Sequence, residues 1–546
     1  MEKPLPARLQ SLLADSPLRN APFRHYYIGS LGVSLGYTMQ ATMAAWLMAT
    51  LTPSALMVAL VQTASTAPAL LFGLVAGALA DIVDRRKIML ATHSVILASI
   101  AILGLSTYAG LIGPGLLLVL TFVIGSGFSL ATPAQQASVN ELVSRDDLPR
   151  AVALGAVAFN TARAIGPALA GAVAAMLTSG SAFLVAAVCI LPLIIAVSRW
   201  PAAKPGLPGV PETLLSGVQS GLRFARHSPA MRALLIRNIT FCLCGSSFWA
   251  LLPVIARDQL GMGAGGFGLL SASFGLGAVA GALWIPRRLK TVSLNTVVTQ
   301  GVLLWIGATL VVAASHIPAI AVAGAAGVGV AWVSVLAGLS AGMQSTAPAW
   351  VRARAVAAAL VSVQASLALG SALWGLMASA AGTQIALIAS TVVMLAMHAL
   401  NRRYPVVMGT EAQVTTGVQL PEIAIAIQPL PNDGPVLIQL EYRIDPGNEA
   451  AFIRAIHDVE PTRRRNGAAS WRVYRDVGEA GRFVERFVIA SWAEYVRLRM
   501  RMTVADREIQ DRVALWQREG VPVRVSRLIG VNPSDALEEV DESRLS

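Results

Sequence analysis

The sequence predicts an all-α polytopic membrane protein of about twelve spans, followed by a small soluble α+β domain. Three observations carry this reading. The 546 residues are 55% hydrophobic and only 13% charged, where soluble domains carry about 25% charged residues. The apolar excess is confined to residues 26 to 400, and from Glu411 onward Arg, Asp and Glu recur throughout. Basic residues collect in every second connection between the apolar runs.

A membrane helix needs about 20 mostly apolar residues. Such runs lie at 26–49, 55–80, 88–110, 112–137, 151–177, 181–198, 234–256, 266–285, 294–314, 318–346, 354–379 and 382–400. Arg and Lys accumulate in cytoplasmic loops, so the connections test the count. Arg8, Arg19 and Arg24 precede the first run; Leu51 to Ser54 carries no charge; Arg85, Arg86 and Lys87 follow the second run. The pattern continues with Arg145 and Arg150, then Arg199, Lys204, Arg223, Arg226 and Arg232, then Arg287, Arg288 and Lys290, then Arg352 and Arg354, and finally Arg402 and Arg403. The intervening connections carry little or nothing, Arg257 beside Asp258 being the largest exception. Both termini are therefore expected in the cytoplasm. The net charge of +12 is read as topology, with no nucleic-acid partner and the lipid bilayer as the surroundings. Cys189, Cys242 and Cys244 all fall inside spans and read as packing residues, not a disulfide framework. No secretory cleavage pattern opens the chain, so the first span is expected to stay as an anchor.

The longest cytoplasmic connection lies midway and contains Pro201, Pro205, Pro208 and Pro211. The expected organisation is an N-terminal six-helix half (1–198), an interdomain loop (199–233), a C-terminal six-helix half (234–400), a linker (401–435) and a soluble domain (436–546). The halves share a sequence. Arg150-Ala-Val-Ala leads to Gly166-Pro-Ala-Leu-Ala-Gly171, and Arg354-Ala-Val-Ala leads to Gly370-Ser-Ala-Leu-Trp-Gly375, with roughly ten of the 22 aligned positions identical. Two parallel repeats predict alternating access, one half rocking against the other around a central site.

Arg163 is the one charge deep in a span. A charge at the centre of a membrane helix costs roughly 2.5–3.5 kcal/mol on insertion scales. It is expected to face the bundle interior and meet a partner or an anionic substrate. Asn160 lies on the same face, and Gly166-Pro167 can bend the helix beyond it. Gln364 is the repeat counterpart of Asn160. With Tyr37, Gln40, Trp46, Gln62, Trp249 and Trp332, these residues describe a mixed apolar path suited to a small, amphiphilic organic substrate. No Asp or Glu stands mid-span, so the candidates for ion coupling are Asp81, Glu141, Asp258, His25 and His93. No phosphate-binding glycine loop occurs, which argues against direct ATP drive.

The second connection reads Gly77-Ala-Leu-Ala-Asp81-Ile-Val-Asp84-Arg85-Arg86-Lys87. It resembles the loop signature of the major facilitator superfamily, closest to its drug and siderophore exporter branch, the enterobactin-exporter-like or transmembrane secretion effector proteins. Phe23-Arg24, Gly36, Gln40, Trp46-Leu47, Pro133, Glu141-Leu-Val, Asn160, Arg163, Gly166-Pro167 and Thr503-Val-Ala-Asp-Arg507 extend the likeness over nearly the whole chain. The resemblance implies a secondary transporter in a bacterial inner membrane that exports a siderophore, drug or secondary metabolite, with proton antiport. On this reading Gly77 admits a neighbouring helix. Asp81 would accept hydrogen bonds from Arg85 or Arg86, or face the positive N-terminus of the span beginning near Arg354. That forms a latch between the halves in the outward-facing state. The second-half copy, Gly281-Ala-Leu-Trp-Ile-Pro-Arg287-Arg288, lacks the acid.

In the tail, Val436 to Arg443 alternates like a strand, and a helix runs after Pro446 through Phe452 and Ile456. Trp471–Tyr474 and Phe483–Ile489 read as strands, Ala493–Trp516 as a helix interrupted near Thr503, and Val523–Ile529 as a last strand. The order βαββαβ predicts a ferredoxin-like domain. It resembles the dimeric α/β-barrel superfamily, which includes small monooxygenases. The domain is therefore expected to self-associate or regulate. A fused catalytic domain using His457 and Trp471 is the alternative, and a membrane sensor that does not transport is a third. No cofactor or metal-ligand spacing is found.

Overall fold

A computed structural model describes residues 16–144, 146–200, 223–415 and 428–531. The bundle helices are α1 (Ala21–Leu51), α2 (Ala55–Ile82), α3 (Arg85–Tyr108), α4 (Pro114–Leu142), α5 (Leu148–Met176) and α6 (Ser179–Val188, resuming at Leu191–Ser198). They continue with α7 (Pro229–Val254), α8 (Ala264–Arg288), α9 (Leu294–Ala314), α10 (Pro318–Thr346), α11 (Ala349–Ala381) and α12 (Thr383–Leu400). Among the described residues, 11 helices are long and apolar enough to cross a membrane. The helix outside that set is α1, whose apolar run is diluted by Tyr26, Tyr27, Ser30, Ser34, Thr38 and Gln40.

Local chemistry sets the helix ends. Ser54, Thr178 and Ser293 each accept a backbone N–H from the first turn of α2, α6 and α9. Asp84 does the same for α3, accepting from the Arg86 amide at 2.9 Å. Pro192 breaks α6, because its ring removes one ladder donor and crowds the preceding turn. After Pro253, α7 ends in a π-turn over Ile255–Gln259.

Close contacts divide the chain into two units. The first holds the described residues through 200 with Arg237–Leu339 and Leu360–Pro405. There α1 packs on α5 and α6, α4 on α2 and α3, and α5 on α8. Glycines make the crossings. A Cβ on Gly166 of α5 would collide with Thr38 of α1, and one on Gly370 of α11 with Leu243 and Ser246 of α7. Five residues further along each helix, the partner belongs to the other half. Gly171 meets Gly268 of α8, where a Cβ on either would stand 2.8 Å from the other's Cα. Gly375 is pressed against Ala59 of α2. The repeated glycines thus occupy repeated positions in space.

The second unit joins 223–236 and Ser340–Ala359 to the described residues from Val406. It contains β1 (Val436–Arg443), α13 (Glu449–His457), α14 (Glu460–Asn466), β2 (Ser470–Arg475), β3 (Arg482–Ile489), α15 (Trp492–Met500), α16 (Val504–Ala514) and β4 (Arg524–Ile529). The sheet is antiparallel in the order β2-β3-β1-β4, with Ile438 opposite Phe487 and Tyr442 opposite Phe483. Ile438, Phe452, Ile456, Trp471, Phe483, Phe487 and Leu498 form its core. The interruption read near Thr503 is a new helix start. Thr503 accepts from the Asp506 amide while Asp506 accepts from the Thr503 amide. The α14 turn was not legible in the sequence, since seven residues with three consecutive arginines show no apolar period.

Candidate transport path

Arg163 lies where α5 crosses α8. A Cβ on Gly275 would stand 2.8 Å from the Arg163 carbonyl oxygen, so only glycine admits this approach. The guanidinium sits 5.9 Å from the ring centres of both Phe159 and Phe274. Phe274 is in turn packed edge-on against Trp249 at 4.2 Å. Among the described residues, no carboxylate pairs with Arg163 and no hydrogen bond reaches its guanidinium. A cation therefore stands beside two aromatic rings where α5 meets α8, with no carboxylate partner among the described residues.

On one side of this crossing the halves touch. Beside the glycine contacts, the Leu56 amide donates to Ser379 Oγ at 2.9 Å, and Thr63 Oγ1 donates to the Ala368 carbonyl at 2.9 Å. Arg257 donates through Nη1 to the Thr52 carbonyl at 3.2 Å while forking onto Asp258. On the other side, nothing lies within 4 Å of where a Cβ would stand on Gly73 and Gly77 of α2 or on Gly155 of α5. The contacts between the halves thus gather at the α1–α2 turn, and the open space lies beside glycines farther along α2 and on α5.

The other expected path residues fall in different settings. Tyr37 stacks on Phe128 at 4.3 Å, and Trp46 on Phe267. Gln40 is buried with its Nε2 unpartnered among the described residues. Asn160 is exposed and donates to the Ala156 carbonyl of its own helix, while Gln364 is half-buried. Gly166 is a helix-crossing residue, as above. The Pro167 carbonyl lies close to Gly268.

Beyond Gly77, the Asp81 side chain lies outside the described residues. Arg85 pairs with Glu141, and Arg86 donates to the Ser198 carbonyl. Both tie α3 to neighbours in its own half, and the Arg19–Asp147 pair at 3.0 Å joins the start of α1 to the start of α5 within that half. Arg354 belongs to the second unit and lies in the field of Glu494, Arg497 and Arg501. There Arg501 stacks on Trp350 at 4.3 Å and binds Glu494 at 2.7 Å. His93 is buried between the Met89 carbonyl, 2.8 Å from Nδ1, and the Gln135 amide, 3.1 Å from Nε2. These two partners fit one neutral tautomer, with Nδ1 donating and Nε2 accepting. The sequence offered no signal for Gln135 or Phe274, because each acts through a contact with another helix; Phe159, one turn before Arg163 on α5, could have been found from its i−4 spacing.

In the tail, Glu485 is fully buried and accepts from Tyr442 Oη at 2.9 Å, Trp471 Nε1 at 2.9 Å and Arg463 Nε at 3.0 Å. Burial, and then the Glu485 carboxylate beside it, raise the Tyr442 phenol well above its ordinary value. His457 meets the Trp471 ring edge-on at 5.4 Å, with its Nδ1 on the Ile453 carbonyl. Tyr442, Trp471 and Arg463 thus all direct their polar atoms onto Glu485. Among the described residues, no group of His, Cys, Asp or Glu is arranged to hold a metal.

Eleven helices long and apolar enough to cross a membrane, among the described residues, define a polytopic membrane protein. The chain belongs to the transmembrane secretion effector family, which it matches over residues 13–535. It is a secondary transporter of the major facilitator superfamily and a multi-pass bacterial membrane protein. It is similar to the staphyloferrin A transporter of Staphylococcus aureus (strain NCTC 8325 / PS 47), 24% identical over 50% of this chain and 68% of the relative. It is also similar to the multidrug efflux pump Tap of Mycolicibacterium fortuitum, 28% identical over 64% of this chain and 87% of that pump. In fold it matches a bacterial homologue of the human lysosomal transporter Spinster, with a TM-score of 0.56 and 15% identity over 70% of this chain and 98% of the other.

Proposed function

We propose that this transporter exports a small amphiphilic organic molecule bearing an anionic group, by alternating access between two six-helix halves. The observation that carries the reading is Arg163, a cation with no counter-charge among the described residues, at the α5–α8 crossing. An uncompensated charge in a low-dielectric span is costly. A substrate anion supplies the missing charge, and aromatic faces supply apolar contact. Export, and siderophores or drugs as the class of cargo, are supported by the names of the two relatives.

On this reading α1 is a twelfth crossing, its polar residues turned toward the bundle, and both termini are cytoplasmic as the loop charges require. The end at the α1–α2 turn is then extracellular and closed. The open space beside Gly77 is the gap that the Asp81, Arg85, Arg86 and Arg354 latch closes in the opposite state. Tyr37, Gln40, Asn160, Gly166, Pro167 and Gln364 flank the path with Arg163. The tail is a ferredoxin-like domain, supported by its strand order, that regulates the carrier or pairs with a second copy. The experiment is uptake into inverted vesicles carrying the protein, with an imposed proton gradient, of carboxylate siderophores and of neutral and cationic drugs. Gradient-dependent accumulation of the anionic compounds is expected. Equal accumulation in vesicles lacking the protein would overturn the proposal.

A further inference from the structure

A second unfinished cation lies elsewhere in the bundle. Arg237 of α7 is 5% exposed. Its Nη2 donates to the carbonyls of Asn401 at 2.9 Å and Tyr404 at 3.2 Å, capping the end of α12. Its Nε and Nη1 have no partner among the described residues. A cavity opens beside the guanidinium. Its apolar wall is made by Phe241, Val298 and Val335, and its polar edge by Thr240, His398 and Asn401. No carboxylate lines it. The positive charge at the cavity comes from Arg237, with Arg402 near His398 adding to the local field.

Each unmade hydrogen bond of a buried group costs about 1–3 kcal/mol, more for a charged one. Water in the cavity satisfies the N–H groups and leaves the charge. An anionic oxygen satisfies both. The interior space is about 20 Å³, enough for one water-sized group. A large ligand is therefore excluded, and a single oxygen of a phosphate fits while the remainder stays outside. The level suits a lipid headgroup. Arg237 follows Pro229 by two turns in a 31-residue span, and His398 stands in the last turn of α12, beside Arg402 and Arg403. Basic pockets between helix ends at that level attract anionic headgroups.

We propose that the cavity between α7, α9, α10 and α12 binds one phosphate oxygen of an anionic phospholipid as a structural ligand of the second half. The site is separate from the Arg163 path and stands whichever substrate that path carries. The test uses the full-length protein in detergent, followed by thermal unfolding and native mass spectrometry. The additions are phosphatidylglycerol, phosphatidylcholine and inorganic phosphate, each alone. Phosphatidylglycerol is expected to raise Tm by a few degrees and to remain bound as one molecule, while phosphatidylcholine does neither. Arg237→Gln removes the shift. Thr240→Val leaves the α12 cap intact and reduces the shift, which keeps the test sound if the arginine variant fails to fold. Stabilisation by inorganic phosphate without any from phosphatidylglycerol would overturn the lipid as the source. Equal effects of the two lipids, or an unaltered phosphatidylglycerol shift in both variants, would overturn the site.

Discussion

Arg463 in the tail and Arg163 in the bundle both lie over aromatic rings, and only one of them is paired. Arg463 stands 4.8 Å above Phe487 and binds Glu485, which is held in turn by Tyr442 and Trp471. Arg163 stands 5.9 Å from Phe159 and from Phe274, with no carboxylate among the described residues. The tail domain pairs its buried cation within its own fold, as a structural network must. In the bundle, Arg163 lies at the α5–α8 crossing with no such carboxylate among the described residues. The same residue type over the same kind of ring is paired with a carboxylate in one place and, among the described residues, with none in the other.

That contrast breaks most directly in the tail. Arg463→Met strands a buried carboxylate, so it is expected to destabilise the domain by about 3–5 kcal/mol. Denaturant unfolding followed by Trp471 fluorescence reads this, and a change near zero would dissolve the contrast. Arg163→Gln is the opposite case. Transport is expected to fall roughly 10- to 100-fold, the worth of a charged hydrogen bond, while expression and Tm hold or rise. A variant that transports normally would remove Arg163 from the path.

The closed end comes next. Gly375→Val thrusts a side chain into Ala59 of α2. Overpacking of this kind costs about 1–3 kcal/mol, so the variant should transport several-fold more slowly, with a reporter cysteine at Ser379 labelling faster from outside. Unchanged labelling would show that this contact does not seal the bundle. The smallest effect is expected at Thr503→Ala, which removes the α16 cap and costs about 1 kcal/mol. Thermal unfolding of the tail measures it.

How far these features were legible in the sequence depends on how local they are. The apolar runs placed the bundle helices because lipid demands unbroken hydrophobic length. The run at 318–346 coincides with Pro318–Thr346, and the strand at Val436 to Arg443 has those same limits. The interruption at Thr503 was legible from its cap chemistry. The break in α6 was not anticipated, because membrane helices tolerate proline inside an apolar run and Pro192 alone does not mark a break. Arg163 stood out as a lone charge in a span. Its aromatic neighbour on α8 and the Arg257–Thr52 link did not, since each joins residues more than a hundred positions apart. The repeat did announce its geometry. Glycines at matched positions made matched crossings, with α8 in one half and with α2 in the other.

The central claim is that a substrate anion completes Arg163. It is tested by uptake into inverted vesicles of one aryl carboxylate dye and its neutral amide, compared between the natural protein, Arg163→Lys and Arg163→Gln. The natural protein should carry the carboxylate in clear preference to the amide, Arg163→Lys should keep part of that preference, and Arg163→Gln should lose it. A preference that survives unchanged in Arg163→Gln would contradict the account.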